Sequence, residues 1–416
     1  MLSIKYKIKY KPSVITIVIS LMIIINIVSH YFRYITDDIR IITSMDEICW
    51  IILSMLFIYS IFMDSYKIKI YKIRLDIFLI LIISTIIGWN YGLRHFKDLE
   101  SYFAQLVFLL LSYFLCICVD WSSKLTINNL DMIMKVFLAC STVSVVYADV
   151  FQYDLIIRVL TNDSAAKASW NFYSFFSQRN IYACVCFLAI ISSIYLFERF
   201  KKKRYIVALL CFIFNLYITD SQTSIFSAIF FLMLYIYFKS KYKIFLVVSI
   251  ILAIIVFLLS STSFSFSMIF SNHMTSFGVD SGRLRMNMWL EAIEQLHVNK
   301  AWLCGMGDGS NCVYLINEYG YGSFHNGFID VLFKGGLIRL ISYIFIIYIS
   351  WKKININNNI GYKNVMKSAL LAFCLYSCFE AGGMFFELNY FAVTTTMLFI
   401  MIPLNIKNED IEIFSQ

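Results

Sequence analysis

The chain has 416 residues, of which 60% are hydrophobic and 15% are charged, and its mean hydropathy is +0.74. Soluble domains are about 45–50% apolar and about 25% charged, so this composition excludes an ordinary soluble protein and indicates a membrane protein. The net charge of +9 would suit a nucleic-acid partner, but the positions of the basic residues along the chain follow membrane topology instead.

Apolar runs long enough to cross a bilayer recur throughout the chain. About 17 to 25 apolar residues in a helix cross about 30 Å of hydrocarbon, and by this criterion the sequence predicts about twelve spans in an all-α polytopic membrane protein. The first follows a lysine-rich start without a small-residue cleavage pattern, so we interpret it as an uncleaved signal anchor. The spans lie near residues 13–30, 48–63, 75–91, 102–119, 132–150, 180–197, 205–219, 222–238, 243–260, 325–350, 365–383 and 388–405.

Lysine and arginine in the connections predict the orientation of these spans, because cytoplasmic loops carry an excess of both residues. With a cytoplasmic N-terminus, the inner connections hold about twice as many basic residues as the outer ones. The sequence therefore predicts that both termini are cytoplasmic.

One long polar segment interrupts the pattern of spans and falls on the outer side. We expect spans 1–9 over residues 1–260, a large extracytoplasmic loop with short amphipathic helices over 261–324, and spans 10–12 with a short cytoplasmic tail over 325–416. The loop holds arginines, histidines, carboxylates and glycines together, so we expect it to supply much of the chemistry. Residues 151–179 form the second-longest outer segment and are the other candidate contributor to a site.

An amphipathic helix is predicted within the large loop. Asp280 and Ser281 form its cap, Arg283 falls on its polar stripe, and Arg285 falls within its apolar face. The simpler interpretation is a surface helix at the membrane interface, with the Arg285 head group reaching water. The alternative is that one or both arginines bind phosphate, whose oxygens suit a guanidinium group.

Three further features lie towards the end of the loop and beyond it. Residues 305–309 form a glycine cluster without the Gly-Lys-Ser/Thr of a Walker loop, so an ordinary turn is the simpler interpretation. His325 and Asn326 stand at the start of the tenth span, where a histidine is usually a cap or interface residue but can also act as a base. Lys334 in that span needs a cavity or a phosphate to offset the cost of a charge in hydrocarbon.

The remaining polar residues predict little additional chemistry. Glu380 and Glu387 flank the last outer connection, where a solvated edge is the default expectation. Of the eleven cysteines, only Cys304 and Cys312 lie in the large loop, and they could pair in an oxidising compartment.

Taken in order, these motifs resemble those of the O-antigen polymerase (Wzy type) and O-antigen ligase family. Their order, their spacing and their place in the last large outer loop all agree with that family. The specific resemblance covers about 75 residues of this chain. The matching residues are Ser281-Gly282-Arg283, Trp289, Gly305-Met306-Gly307, His325-Asn326 and Gly335-Gly336.

Two earlier turns resemble further elements of the family. One is the Phe-Ser-Gln-Arg-Asn run at 176–180, and the other is the Ser-Gln-Thr-Ser turn that contains Gln222. The family commonly has an arginine where this chain has Gln222. If that arginine holds pyrophosphate, then Arg179, Arg285 or Lys334 must substitute for it here.

The resemblance implies a GT-C-like membrane glycosyltransferase in the bacterial cytoplasmic (inner) membrane, with its active site outside the cytoplasm. Its partners would be an undecaprenyl-pyrophosphate-linked glycan and membrane lipid, with a chain-length regulator and a flippase as further candidates and no nucleic acid. No cofactor, metal or nucleotide sugar is implied. By this resemblance His325 is the base or orients the acceptor, and Arg283 is the principal pyrophosphate contact. The other candidate substrate contacts are Arg285, Arg179, Asn326, Gln222 and Lys334.

Three functions remain open at this stage. The glycine-rich and tyrosine-rich run before His325 favours a polymerase, and the missing turn arginine disfavours an O-antigen ligase. A lipid-linked oligosaccharide flippase or another transporter would predict short loops on both faces, whereas this chain concentrates its polarity in one loop. Its two prolines, Pro12 and Pro403, lie near the termini, so the spans lack the proline breaks found in many transporters.

Overall fold

Helices make up most of the described chain. The computed structural model describes residues 12–36, 38, 40–62, 72–96, 99–122, 125–161, 165–241, 278–319, 322–381, 384–387 and 391–406. π-Helical turns at Phe114–Cys118 and Met397–Met401 follow the fourth and fifteenth helices. The α-helices are α1 (Val14–Thr36), α2 (Arg40–Phe62), α3 (Lys72–His95), α4 (Phe103–Tyr113), α5 (Ile127–Phe151), α6 (Tyr153–Leu160), α7 (Ala165–Asn171), α8 (Arg179–Phe200), α9 (Lys203–Thr219), α10 (Gln222–Lys239), α11 (Gly278–Val298), α12 (Ser310–Tyr319), α13 (Gly327–Asn355), α14 (Ile360–Ser377), α15 (Ala392–Thr396) and α16 (Ile402–Asn405).

Seven helices in the described part of the chain, namely α1, α2, α3, α5, α8, α10 and α13, are long and apolar enough to cross a membrane. This confirms the predicted all-α polytopic fold class. Four of the other predicted spans, near 102–119, 205–219, 365–383 and 388–405, fall on helices outside that set of seven. The predicted span near 243–260 lies outside the described residues.

Helix α8 is the centre of the bundle. Every residue from 181 to 196 is buried, and 89% of its apolar window lies inside the protein, against 33% for α2 and α3. A helix that is apolar on all sides and surrounded by protein has no face for lipid, and α8 packs against α5, α9, α10 and α14. The position of its first turn, which begins at Arg179, is therefore fixed by packing on every side.

Ion pairs hold the carboxyl-terminal end of α8. Arg199 lies 2.9 Å from Asp131 on α5, and Glu198 lies 2.7 Å from both Lys201 and Lys239. Because Lys239 ends α10, these pairs join three helices at what we term the basic end of the bundle. The opposite end, which we term the site end, carries Asn180, Ser221, His325 and Glu380.

Helix α13 is interrupted at Gly336, whose φ of 66° and ψ of −169° are not helical. The loop that contains the glycine cluster enters this break. The N–H of Met306 donates to the carbonyl of Phe333 at 2.8 Å, and the N–H of Leu337 donates to the carbonyl of Trp302 at 2.8 Å. The loop thus bonds to backbone groups that the break leaves without helical partners.

The same loop, residues 301–309, is wedged between α3 and α13, and we term it the glycine wedge. A Cβ at Gly88 on α3 would overlap the carbonyl group of Cys304, so only glycine permits this approach. The buried guanidinium of Arg339 on α13 donates to both carboxylate oxygens of Asp308, at 2.6 and 2.8 Å. The glycine cluster does form turns, with positive φ at Gly305, Gly307 and Gly309, and its close packing against α3 and α13 adds a structural role that the sequence did not predict.

Alanine at Gly336 tests the wedge. Its Cβ would overlap the carbonyl of Leu303, in a backbone region that other residues avoid. We expect Gly336→Ala to lower the free energy of unfolding by at least about 2 kcal/mol, measured by thermal unfolding in detergent. Gly361→Ala is the control, since a Cβ there would meet its nearest neighbour at 3.5 Å, an ordinary contact. Equal melting temperatures for the two variants would contradict the role of the wedge.

Candidate functional site

A buried carboxylate, Glu380, joins several segments at the site end. It lies just beyond α14 and is 7% exposed. Its Oε1 accepts from Asn180 Nδ2 at 3.0 Å and from Arg285 Nη2 at 3.1 Å, and its Oε2 lies 3.3 Å from His325 Nδ1. Arg285 also donates to the carbonyl of Phe379 at 2.8 Å. The expectation of a solvated edge at Glu380 is therefore wrong. We term these four residues, Glu380, Asn180, Arg285 and His325, the Glu380 cluster.

His325 is positioned by the start of α13. Its φ of 51° turns the chain into the helix, and the side chain of Asn326 caps that helix by accepting from two backbone N–H groups at 3.0 and 3.1 Å. On the other side of His325, Trp289 Nε1 donates to the carbonyl of Phe324 at 2.7 Å. Asn326, a predicted substrate contact, therefore caps α13 and orients its neighbour His325.

Helix α11 carries Arg285 into the cluster. Its apolar side chains Met288, Ala292 and Leu296 are buried against a group that includes Phe324. This part of the predicted apolar face therefore packs on protein, while Ile293 of the same face is 38% exposed. The side chain of Arg283 lies outside the described residues.

The turn between α9 and α10 contacts the Glu380 cluster through Ser221. Ser221 Oγ donates to Asn180 Oδ1 at 3.1 Å, so the amide of Asn180 bridges this turn to Glu380. Gln222, a predicted substrate contact, is exposed at the start of α10. The polar contact that this turn makes to the cluster comes from Ser221, the neighbour of Gln222.

Arg179 stands beside the cluster at the start of α8. Its guanidinium carbon lies 4.2 Å from the centre of the Trp170 ring, which is a cation–π contact. It is also within electrostatic range of Asp220, Glu380 and Arg285. Arg179 therefore interacts electrostatically with the carboxylate that Arg285 contacts directly.

Lys334 belongs to a second group of charges. Its Nζ lies 2.6 Å from Oε2 of Glu387, and the side chains are 7% and 11% exposed, respectively. Asp330, one turn earlier, accepts from Asn311 Nδ2 and from the N–H of Phe324, each at 3.1 Å. The cost of burying this lysine is thus offset by a carboxylate, and the structure does not bring Lys334 into the Glu380 cluster.

The loop cysteines are both free thiols. Burial raises the pKa of Cys312 to about 11, and its thiol donates to the carbonyl of Gly322 at 3.0 Å. A thiol with this pKa stays protonated at neutral pH, so Cys312 is unsuited to nucleophilic chemistry.

The Glu380 cluster has the parts of an acid–base site beside an anion site. A carboxylate at Nδ1 favours the imidazole tautomer with its proton on that nitrogen, which makes Nε2 of His325 the basic atom. Arg179 and Arg285 can donate to phosphate oxygens from two sides. In the part of the chain that the structure describes, no group of three or more His, Cys, Asp or Glu residues could hold a metal ion.

Sequence reasoning missed Glu380, Asn180 and Ser221. Asn180 and Ser221 lie in the two turns that carried a resemblance, where the predicted substrate contacts were their neighbours Arg179 and Gln222. The available signal for Glu380 was its place at the end of an apolar run on the same predicted side as His325.

Comparison with known proteins adds one match. Residues 206–344 match the protein family Wzy_C, described as O-antigen ligase. This range contains Ser221, Arg285 and His325 and ends before Glu380. None of the curated proteins matches the chain.

A double-mutant cycle tests the ion pair at the centre of the cluster. We expect Arg285→Gln and Glu380→Gln to be non-additive by about 1–2 kcal/mol in thermal unfolding, because each leaves the other charge partly buried. The control cycle is Asp38→Asn with Arg40→Gln, an exposed pair separated by 4.0 Å, for which coupling below about 0.5 kcal/mol is expected. Additive effects at Arg285 and Glu380 would show that the pair is not coupled.

Proposed function

We propose that the chain is a polymerase of lipid-linked glycans, within the O-antigen polymerase and ligase family that the Wzy_C match at residues 206–344 supports. Its substrate would be an undecaprenyl-pyrophosphate-linked oligosaccharide repeat unit, and its product a surface polysaccharide, either O antigen or capsule. The observation that carries this proposal is the contact of one carboxylate, Glu380, with both a histidine and an arginine. A proton acceptor and a cation for the leaving group are what this transfer needs.

In the proposed reaction a hydroxyl of the acceptor sugar attacks the anomeric carbon of the donor. The new C–O bond forms as the bond between that carbon and the phosphate oxygen breaks, and lipid pyrophosphate leaves with the electron pair. The hydroxyl proton passes to Nε2 of His325. Glu380 then stabilises the imidazolium through Nδ1, 3.3 Å away.

The leaving pyrophosphate would be held by arginines. Arg285 and Arg179 approach from α11 and α8, and Arg283 is a further candidate from the sequence. Guanidinium groups suit this role because they stay charged and donate in pairs to phosphate oxygens. Since the pyrophosphate itself brings negative charge, it can take over Arg285 from Glu380 when the substrate binds.

We propose that the site end faces the extracytoplasmic side of the bacterial inner membrane. The support is the basic end, where ion pairs join α5, α8 and α10 and where lysine and arginine concentrate, as is usual in the cytoplasm. Residues 199–204 contribute five of these basic side chains: Arg199, Lys201, Lys202, Lys203 and Arg204. This placement, with the lipid chain of the donor lying between spans, agrees with a GT-C-like enzyme.

An O-antigen ligase is the second candidate, because the matched family carries that description. Both reactions use the same donor and differ in the acceptor, which is a second lipid-linked glycan for the polymerase and a lipid A core for the ligase. A flippase is the third candidate. It would not require a histidine paired with a carboxylate next to an arginine.

Complementation in a polymerase-deleted host that carries the matching repeat-unit genes tests the proposal, with surface glycan separated on a gel. The wild-type chain should restore a ladder. His325→Ala and Arg285→Ala should leave a single-repeat band, since losing a base or a leaving-group contact costs about a hundredfold or more in rate. Arg158→Ala, which removes an exposed arginine of α6, should keep the ladder.

Other outcomes assign the function differently. A ladder that forms without this gene, with polymer left on the lipid carrier in its absence, identifies a ligase. Single repeat units confined to the cytoplasmic leaflet identify a flippase. A full ladder from the His325→Ala chain would contradict the role given to His325.

A further inference from the structure

Trp170 differs from every other tryptophan of the chain. All seven tryptophans are described, and Trp170 is the one that is exposed, at 52%. It lies near the end of α7, in the predicted second-longest outer segment. A large indole ring is usually buried at least in part, and the exposed part of this one offers an apolar surface to a ligand.

The backbone that carries this ring is held firmly. Ala168 and Ser169 before it and Phe172 after it are buried. Two residues further on, Ser174 exchanges two hydrogen bonds of 2.9 Å with the side-chain amide of Gln152. The indole is therefore presented from a fixed support, which reduces the conformational entropy that binding would cost.

The ring also stands next to the proposed pyrophosphate site. The Arg179 guanidinium lies 4.2 Å from its centre, and Arg179 is within electrostatic range of Glu380 and Arg285. A donor whose phosphates reach Arg179 would bring the sugar at or next to its anomeric carbon beside the indole. On the same helix, the exposed Lys167 and Asn171 can donate to hydroxyl groups.

We propose that Trp170 forms a sugar subsite, in which the indole stacks on the apolar C–H face of a pyranose ring of the donor glycan. This inference rests on the proposed function, because it takes the pyrophosphate-linked glycan as the ligand. The stack fits the chemistry of the ring, since a pyranose has an apolar face and a polar rim, and the indole offers a flat apolar surface with polar groups beside it. Trp170 then contributes to donor binding and takes no part in proton transfer.

A tryptophan at a membrane surface can instead anchor the protein among lipid head groups. The two roles differ in what covers the indole. In a sugar subsite the bound glycan covers the indole, whereas a lipid pyrophosphate that carries no sugar leaves it uncovered. An interfacial anchor stays in contact with lipid whichever substrate is present.

The first measurement is acrylamide quenching of tryptophan fluorescence on the full-length protein in proteoliposomes. The probes are lipid-linked repeat units extracted from the polymerase-deleted host, and undecaprenyl pyrophosphate without sugar. We expect the glycosylated probe alone to protect a fraction of the fluorescence, and Trp170→Phe to remove that fraction. Equal protection by both probes, or by neither, would overturn the subsite.

The second measurement is steady-state transfer by the same proteoliposomes. Trp170→Ala should raise KM for the lipid-linked repeat unit about fivefold while kcat stays within about twofold. Tyr153→Ala, which removes another exposed aromatic side chain of the same segment, should leave both parameters unchanged. An unchanged KM in Trp170→Ala, or the same rise in Tyr153→Ala, would overturn the inference. Absence of transfer by the wild-type protein would instead count against the proposed function, while the quenching experiment still tests the subsite.

Discussion

The burial of Glu380 is the constraint on which the site depends. A carboxylate removed from water is costly unless hydrogen bonds and opposite charge replace the lost hydration. Its partners come from three segments far apart in the sequence: Asn180 at the start of α8, Arg285 on α11 and His325 before α13. The hydrogen bonds and opposite charges that Glu380 requires therefore bring together the groups that the proposed transfer uses. They also couple the fold of the large loop to that of the bundle.

The scaffold fixes these three partners by different means. Helix α8 is surrounded by other helices, so its first turn has little freedom to move. Helix α11 is held by an apolar face that packs on protein. The break at Gly336 lets the glycine wedge bond to the interior of α13, which ties the loop to the same helix that begins beside His325. Rigid supports of this kind suit a site whose rate depends on orientation.

Hydropathy was enough to predict the fold class, because length and apolar composition decide whether a helix can cross a membrane. The sequence also pointed to His325 and Arg285, which contact Glu380, and to Arg179, which interacts with it electrostatically. It could not reveal the burial of Glu380, because the burial of a carboxylate is decided by tertiary packing; the place of Glu380 at the end of an apolar run indicated only its side of the bundle. For the same reason Lys334 was expected near phosphate, whereas its partner is Glu387.

The rate of glycosyl transfer by Glu380→Gln, per folded molecule in proteoliposomes, tests the central claim most directly. Glutamine keeps the shape of the side chain but removes the charge that pairs with Arg285 and His325. We predict a rate about a hundredfold below that of the wild-type protein. Glu387→Gln, whose carboxylate pairs with Lys334 in the second group of charges, should retain a rate close to that of the wild type. A wild-type rate in Glu380→Gln would show that the cluster is not the site of catalysis.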